Sequence, residues 1–258
     1  MVDLGMVRVA SVVPRIKIGN PDYNADEIIR LLEEAEANGV GIALFPELTI
    51  TGYTCADLFY QKKLYDAQLD AFAKILDATQ DFLTAFILGI YVRIGARYYN
   101  CAAFCQAGQV KAIVPKKCRP STKEFYESRW FASGTELSGK EIKIRLTASD
   151  GFDLGENIPV GDILIDLEGL IIGIEVCEDL WAPVTPGSLL ALSGAEIIFN
   201  PSASNEIVSK KEYRESLVAN ASATQISGYV YASCGVGEST TDIVFSGDAL
   251  IAENGSVI

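Results

Sequence analysis

Histidine is absent from all 258 residues of the chain. That absence excludes Ser-His-Asp and Cys-His triads, histidine general bases and histidine-ligated zinc. The six cysteines, at 55, 101, 105, 118, 177 and 234, form no C-x-x-C pair, so no usual zinc pattern is left and no metal is expected. A disulfide framework does not suit a chain this long and this apolar. Long hydrophobic runs are missing too: nothing approaches the ~20 apolar residues of a membrane span. The N-terminus has no basic region followed by an apolar stretch, so no signal peptide is expected. With scattered cysteines, this predicts a reducing compartment, the cytoplasm. Basic residues are few, 21 against 34 acidic, for a net charge of −13. Neither nucleic acid nor an anionic membrane is then expected as a partner.

What is present supports a globular core, since 49 % of residues are hydrophobic. At roughly 150 residues per domain the length allows one large domain or two small ones. No Ser/Gly/Pro-rich linker, repeat or low-complexity tract divides the chain, which predicts one domain over 1–258. "VRVASVVP" (7–14), "GIALFPE" (41–47) and "FILGIYV" (86–92) have strand composition. Residues 24–39 read as a helix capped by Asn24, with Glu27 three residues on and Gly39 ending it. Residues 57–78 also look helical. Residues 98–116 and 162–177 each read as two strands around a glycine turn. A short helix over 188–195, a strand over 196–204, a helix over 206–226 and a strand over 228–235 follow. Residues 132–160 read as an irregular excursion. Alternating strands and helices with intruding hairpins predict an α/β fold with mixed sheets.

Several strands end in an abrupt polar cluster: Glu47 after "ALFP", Lys116 after "AIVP", Cys177 after "GIEV", and Asn200 to Ser204 after "EIIF". In α/β sheets, reacting groups gather beyond the carboxyl ends of strands. "IGIEVCEDLW" (172–181) poses a puzzle, because nearby carboxylates disfavour a thiolate and two acids follow Cys177 directly. Cys101, Cys105 and Cys234 sit within apolar strands and read as small hydrophobes. "GVGEST" (235–240) lacks the spacing of a phosphate loop, and Glu238 stands where a lysine would be needed, so it reads as a turn. The chemistry that survives is nucleophilic catalysis by cysteine, with a carboxylate base and a lysine as electrostatic stabiliser.

"LFPELTITGY" (44–53), "VPKKCRPSTKEFYESRWF" (114–131) and "GIEVCEDLW" (173–181) resemble the three catalytic blocks of the nitrilase superfamily of carbon–nitrogen hydrolases. "EFYESRWF", "CEDLW", "NPSASNE" and "YVYASCGVGESTTDIVFSGDALIAENG" narrow the resemblance to the glutaminase domain of the glutamine-dependent NAD⁺ synthetase family, over residues 7 to 258. The resemblance implies a four-layer αββα sandwich. It makes Glu47 the base, Lys116 the oxyanion stabiliser, Cys177 the nucleophile and Glu127 the supporting second glutamate. Tyr53, Glu178 and Ser204 fall where the family contacts glutamine, and Glu178 would suit the α-ammonium group. Lys117 falls one place late and is expected to point elsewhere.

The implied activity is hydrolysis of the glutamine side-chain amide through a thioester, supplying ammonia without a cofactor. Two other readings are a stand-alone hydrolase of another small amide and an inactive oligomerisation scaffold. Where the family often has Leu-Pro-x-Tyr, this chain has Arg119-Pro120-Ser121-Thr122 and lacks that tyrosine. Nothing resembles the Ser-Gly-Gly-x-Asp-Ser loop of the ATP-using synthetase domain. That C-terminal domain, which alone would use ATP and Mg, is expected to be absent and to be a partner if the chain is a fragment. A homo-oligomer is expected.

Overall fold

The computed structural model describes residues 2–3 and 5–258. A short hairpin, β1 (Val2–Asp3) with β2 (Met6–Val7), leads in. The first sheet contains β3 (Val9–Ser11), β4 (Ile42–Leu44), β5 (Ala85–Ile94), β6 (Arg97–Gln106), β7 (Gln109–Pro115), β8 (Ile142–Thr147) and β9 (Asp153–Val160), in the order β3-β4-β5-β6-β7-β9-β8. The second contains β10 (Ile165–Leu167), β11 (Leu170–Ile174), β12 (Ile197–Ser202), β13 (Gly228–Ser233), β14 (Ala249–Glu253) and β15 (Ser256–Val257), paired in chain order. Both sheets are mixed: β3-β4-β5 and β11-β12-β13 run parallel, whereas β5-β6-β7 and β13-β14-β15 run antiparallel. Among the described residues five α-helices join them: α1 (Pro21–Ala37), α2 (Lys62–Ala78), the one-turn α3 (Glu127–Trp130), α4 (Pro186–Leu192) and α5 (Lys210–Gln225).

The period-2 alternation of strand side chains sets the layers. Phe86, Leu88, Ile90 and Val92 of β5 pack with Ile28 and Leu32 of α1 and Phe72 and Ile75 of α2. Ala85 and Ile87 face the other way, onto Ile174, Phe199 and Val230 of the second sheet. On that sheet's outer face Ile198, Tyr229 and Tyr231 meet Val218 and Ala221 of α5. The result is the expected helix–sheet–sheet–helix sandwich. Each fully buried Ile or Phe contributes about 1.5–3 kcal/mol of burial.

The structure departs from the sequence reading at several places, among them the helix expected over 57–78, which is a 3₁₀ turn over Ala56–Tyr60 and α2 from Lys62, parted at Gln61. Helix α1 starts at Pro21, whose fixed φ suits a first helical turn, and its cap is Asn20, whose side chain accepts from Tyr23 N at 3.2 Å. Asn24 is not the cap; it is buried inside α1, accepting from Lys17 N and donating to Ile50 O. Residues 132–160 are not irregular: β8 and β9 form a hairpin, and β9 joins β7 in parallel at Ile113 and Val160. Register shifts after Ile144 and Leu146 break the alternation that would have revealed it. Cys234 lies one residue beyond β13, and β14 and β15 were not anticipated.

Candidate active site

The inter-sheet faces deliver the polar cluster. In β7, Ala112 and Val114 point between the sheets, and Lys116, on the same parity just past the strand, follows them. In β6, Asn100 shares the parity of Ala102 and Phe104. Glu47 follows β4, and its backbone N–H donates to Ser202 O of the second sheet at 3.2 Å. A glycine makes this close approach possible. A Cβ at Gly89 of β5 would lie 2.0 Å from Leu48 N and 2.5 Å from Pro46 O, so no other residue leaves room for the Glu47 loop.

Lys116, Glu47 and Glu127 meet with side chains fully shielded from solvent. Lys116 Nζ donates to Glu47 Oε1 at 2.6 Å and to Glu127 Oε1. Asn100 Nδ2 donates to Glu47 Oε1 at 2.6 Å and, more weakly, to Glu127 Oε2 at 3.4 Å. Tyr53 Oη donates to Glu127 Oε1 at 2.9 Å. Glu47 Oε2 is buried and finds no hydrogen-bond partner among the described residues. Burial alone would lower the Lys116 ammonium, but its electrostatic coupling to the acidic groups around it, Cys177, Glu127 and Glu47, outweighs burial and holds it well above the usual lysine range. Burial pushes Glu127 up to about 7, against the pull of Lys116.

Cys177 sits where β11 turns into a 3₁₀ segment, with φ of 50°, a left-handed conformation rare for a residue with a Cβ. Burial raises its thiol well above the ordinary range; Glu47 adds to this and Lys116 opposes it. The resting sulfur is therefore a thiol. It borders a cavity of about 440 Å³ that is also lined by Glu178, Ser204, Phe125, Trp181 and Lys210. Glu47, Lys116 and Glu127 do not border the cavity, but all three interact electrostatically with Cys177.

The two acids after Cys177 take separate directions. Glu178 borders the cavity. Asp179 is buried and turns back onto the backbone: Oδ1 accepts from Cys118 N at 2.7 Å and Lys117 N at 3.1 Å, and Oδ2 accepts from Val176 N at 2.9 Å. One carboxylate thus ties the segment after Lys116 to the turn that carries Cys177. Lys117 points away, its ammonium 2.8 Å from Asp162.

Of the residues expected beside substrate, Glu178 and Ser204 line the cavity, and the Ser204 hydroxyl accepts from Arg214 at 3.4 Å. Tyr53 does not border the cavity; it is buried, with its hydroxyl on Glu127. Sequence reasoning missed Asn100 and Asp179. A lone asparagine inside the apolar run "YYNCAAF" was the available signal for the first. Among the described residues no group of three or more acidic or cysteine side chains is arranged to hold a metal ion. No helix among them is long and apolar enough to cross a membrane.

The model of the carbon-nitrogen hydrolase family matches residues 8–258. The chain belongs to that family. It is 37 % identical over 254 residues to the glutamine-dependent NAD(+) synthetase of Mycobacterium leprae, covering 98 % of this chain and 36 % of that one. The synthetase of Arabidopsis thaliana is 31 % identical over 241 residues, covering 92 % of this chain and 33 % of its own. This member of the family thus spans about a third of the length of these relatives. Among solved structures, a glutamine-dependent NAD(+) synthetase from Cytophaga hutchinsonii superimposes with a TM-score of 0.80 at 27 % identity, over 98 % of this chain and 40 % of that one. A nitrilase-superfamily amidase from Nesterenkonia has a TM-score of 0.75 at 18 % identity, over 97 % of this chain and 84 % of its own, and so shares the fold.

Proposed function

We propose that this domain hydrolyses the side-chain amide of glutamine to glutamate and ammonia, as the ammonia-supplying part of an NAD⁺ synthetase. The observation that carries the reading is a buried Glu47–Lys116–Glu127 cluster, with one unpartnered carboxylate oxygen, that interacts electrostatically with a cysteine at the wall of a cavity. The cavity carries charges of both signs, Glu178 against the ammonium and Lys210 against the carboxylate of a free amino acid. Lys210 is held by Asn205 and lies 5.1 Å from the Trp181 ring centroid. Relatives named glutamine-dependent NAD(+) synthetase support the same substrate.

On this reading the reaction runs in two halves. Glu47 Oε2 takes the thiol proton as Cys177 Sγ attacks the amide carbon. Lys116 and the backbone N–H of Glu178 stabilise the developing oxyanion. Glu47 returns the proton to the departing nitrogen, ammonia leaves, and a thioester joins the glutamyl group to Cys177. Glu47 then deprotonates a water that attacks the thioester; glutamate leaves and the thiol is restored. Glu127 holds Lys116, and Tyr53 holds Glu127. No cofactor enters, and ATP and Mg belong to a synthetase domain as partner. A free catalytic thiol suits the reducing cytoplasm, and a homo-oligomer there is part of the reading.

The test is ammonia release across glutamine, asparagine and simple aliphatic amides, with mass-spectrometric capture of the thioester. Glutamine should be preferred and Cys177→Ala inactive. Preference for a simple aliphatic amide would favour a stand-alone amidase, a reading the missing tyrosine in 119–122 supports. No hydrolysis and no thioester would leave the scaffold reading.

A further inference from the structure

We propose that Glu175, Tyr229 and Asn200 are positioning residues for the nucleophile: a one-way chain of hydrogen bonds that holds the Cys177 backbone from the outer face of the second sheet. The proposal rests on Cys177 being the nucleophile. The backbone N–H of Cys177 donates to Asn200 Oδ1 at 3.1 Å. Asn200 Nδ2 donates to Tyr229 Oη at 3.0 Å. Tyr229 Oη donates to Glu175 Oε1 at 2.5 Å. Every donor points toward the same carboxylate, so the order of the chain is fixed. Because a backbone N–H can only donate, Cys177 settles which end of that amide faces it, and Ser202 Oγ adds a second donor to Asn200 Oδ1 at 2.6 Å.

The chain is built into the fold rather than into the cavity. Asn200 and Tyr229 share the parity of Ile198 and Tyr231, which face α5, and none of the three positioning residues borders the cavity. The far end is anchored too. Glu175 Oε2 accepts from Gly187 N in the first turn of α4 at 2.6 Å. A Cβ on Gly187 would stand 2.9 Å from the Glu175 carboxyl group, so glycine is what lets α4 sit there. Both Glu175 oxygens are thus engaged. Burial pushes Glu175 up to about 7, while Tyr229 and the Gly187 N–H pull it back.

The left-handed Cys177 is what this chain has to hold. A non-glycine residue at positive φ is strained and persists where its surroundings over-determine it. Losing the N–H acceptor frees the turn to relax, which moves Sγ relative to Lys116 and Glu47. Glutamine binding, on the cavity side, is untouched.

Tyr229→Phe, Glu175→Gln and Gly187→Ala test this, each removing or displacing one link. The first readout is the rate at which iodoacetamide alkylates Cys177, followed by mass spectrometry; it needs no turnover of glutamine. The second is kcat and KM for glutamine. Alkylation and kcat should fall about tenfold in each folded variant, the order expected for one lost hydrogen bond acting on the reacting geometry, with KM unchanged. Tyr229→Phe combined with Glu175→Gln should be no slower than the slower single variant, since the links act as a unit. Folded variants that alkylate and turn over at the wild-type rate, with only Tm lowered, would overturn the proposal. If wild type releases no ammonia from glutamine yet the variants alkylate slowly, the substrate reading fails and the positioning role stands.

Discussion

Asp179→Asn is the substitution that best separates the two acids after Cys177. The change keeps size and removes one acceptor oxygen. Asp179 now receives N–H groups on both sides, from Cys118 and Lys117 on Oδ1 and from Val176 on Oδ2. Whichever way the new amide turns, its NH₂ faces a backbone N–H. At least one buried donor loses its partner, which costs about 1–3 kcal/mol. Part of that is offset, because burial already disfavours the Asp179 carboxylate and holds it above its ordinary range. The net loss of stability should be about 1–2 kcal/mol.

The larger effect should be on chemistry. Asp179 is the bridge between the strand end carrying Lys116 and the turn carrying Cys177, so releasing it lets the two drift apart. A misplacement of about 1 Å costs on the order of a hundredfold in rate. The assay is a urea midpoint together with a single-turnover ammonia-release experiment on glutamine. Glu178→Gln is the control: it should raise KM and leave the urea midpoint unchanged. An Asp179→Asn protein with wild-type midpoint and wild-type single-turnover rate would refute the bridging role.

Lys116→Ala should lose on the order of 3 kcal/mol of transition-state stabilisation, whereas Lys117→Ala should leave turnover intact, because its ammonium pairs with Asp162 outside the site; steady-state kinetics on the two variants compare them directly. Glu47→Gln should slow both the ammonia burst and glutamate release in rapid-quench kinetics, and a normal burst followed by slow glutamate release would restrict Glu47 to the second step. Glu175 tests stability against pH. Its pKa of about 7 lies above the ordinary carboxylate value, so the folded chain binds the extra proton. Its stabilising contribution is fully present below the unfolded pKa and is lost as pH rises through about 7. Glu175→Gln cannot ionise, so the stability difference between the variant and wild type should shift by about 3 kcal/mol from pH 4 to 8; parallel urea midpoints across that range would count against the shift.

Legibility followed chain order. Strand ends announce themselves locally, because an apolar run stops at a polar residue, and Glu47, Lys116 and Cys177 were all visible that way. Their supports were not. Asn100 sits inside a strand, and its importance depends on β6 lying between β5 and β7. Glu127 was recognisable only by resemblance, since nothing local distinguishes it from a helix-start acid. Asp179 looked like a second acid beside a thiol, and only the turn reveals that it faces backbone N–H groups instead. The hairpin over 142–160 was hidden for a different reason, the register shifts that spoil its alternation.

On the proposed mechanism the lack of histidine puts the burden of proton transfer on carboxylates, and the two candidates are not equivalent. Glu127 has both oxygens engaged as acceptors, Oε1 by Lys116 and Tyr53 and Oε2 by Asn100, and burial pushes it up to about 7. Glu47 has Oε1 doubly engaged and Oε2 unclaimed. The free acceptor therefore belongs to Glu47, and Glu127 serves to hold the ammonium that orients it. The raised Cys177 thiol fits this division. A preformed thiolate would need no base, but a thiol that stays protonated at rest needs one with an open lone pair. On that mechanism, two neighbouring glutamates told apart by their hydrogen bonds would do the work that an imidazole does elsewhere.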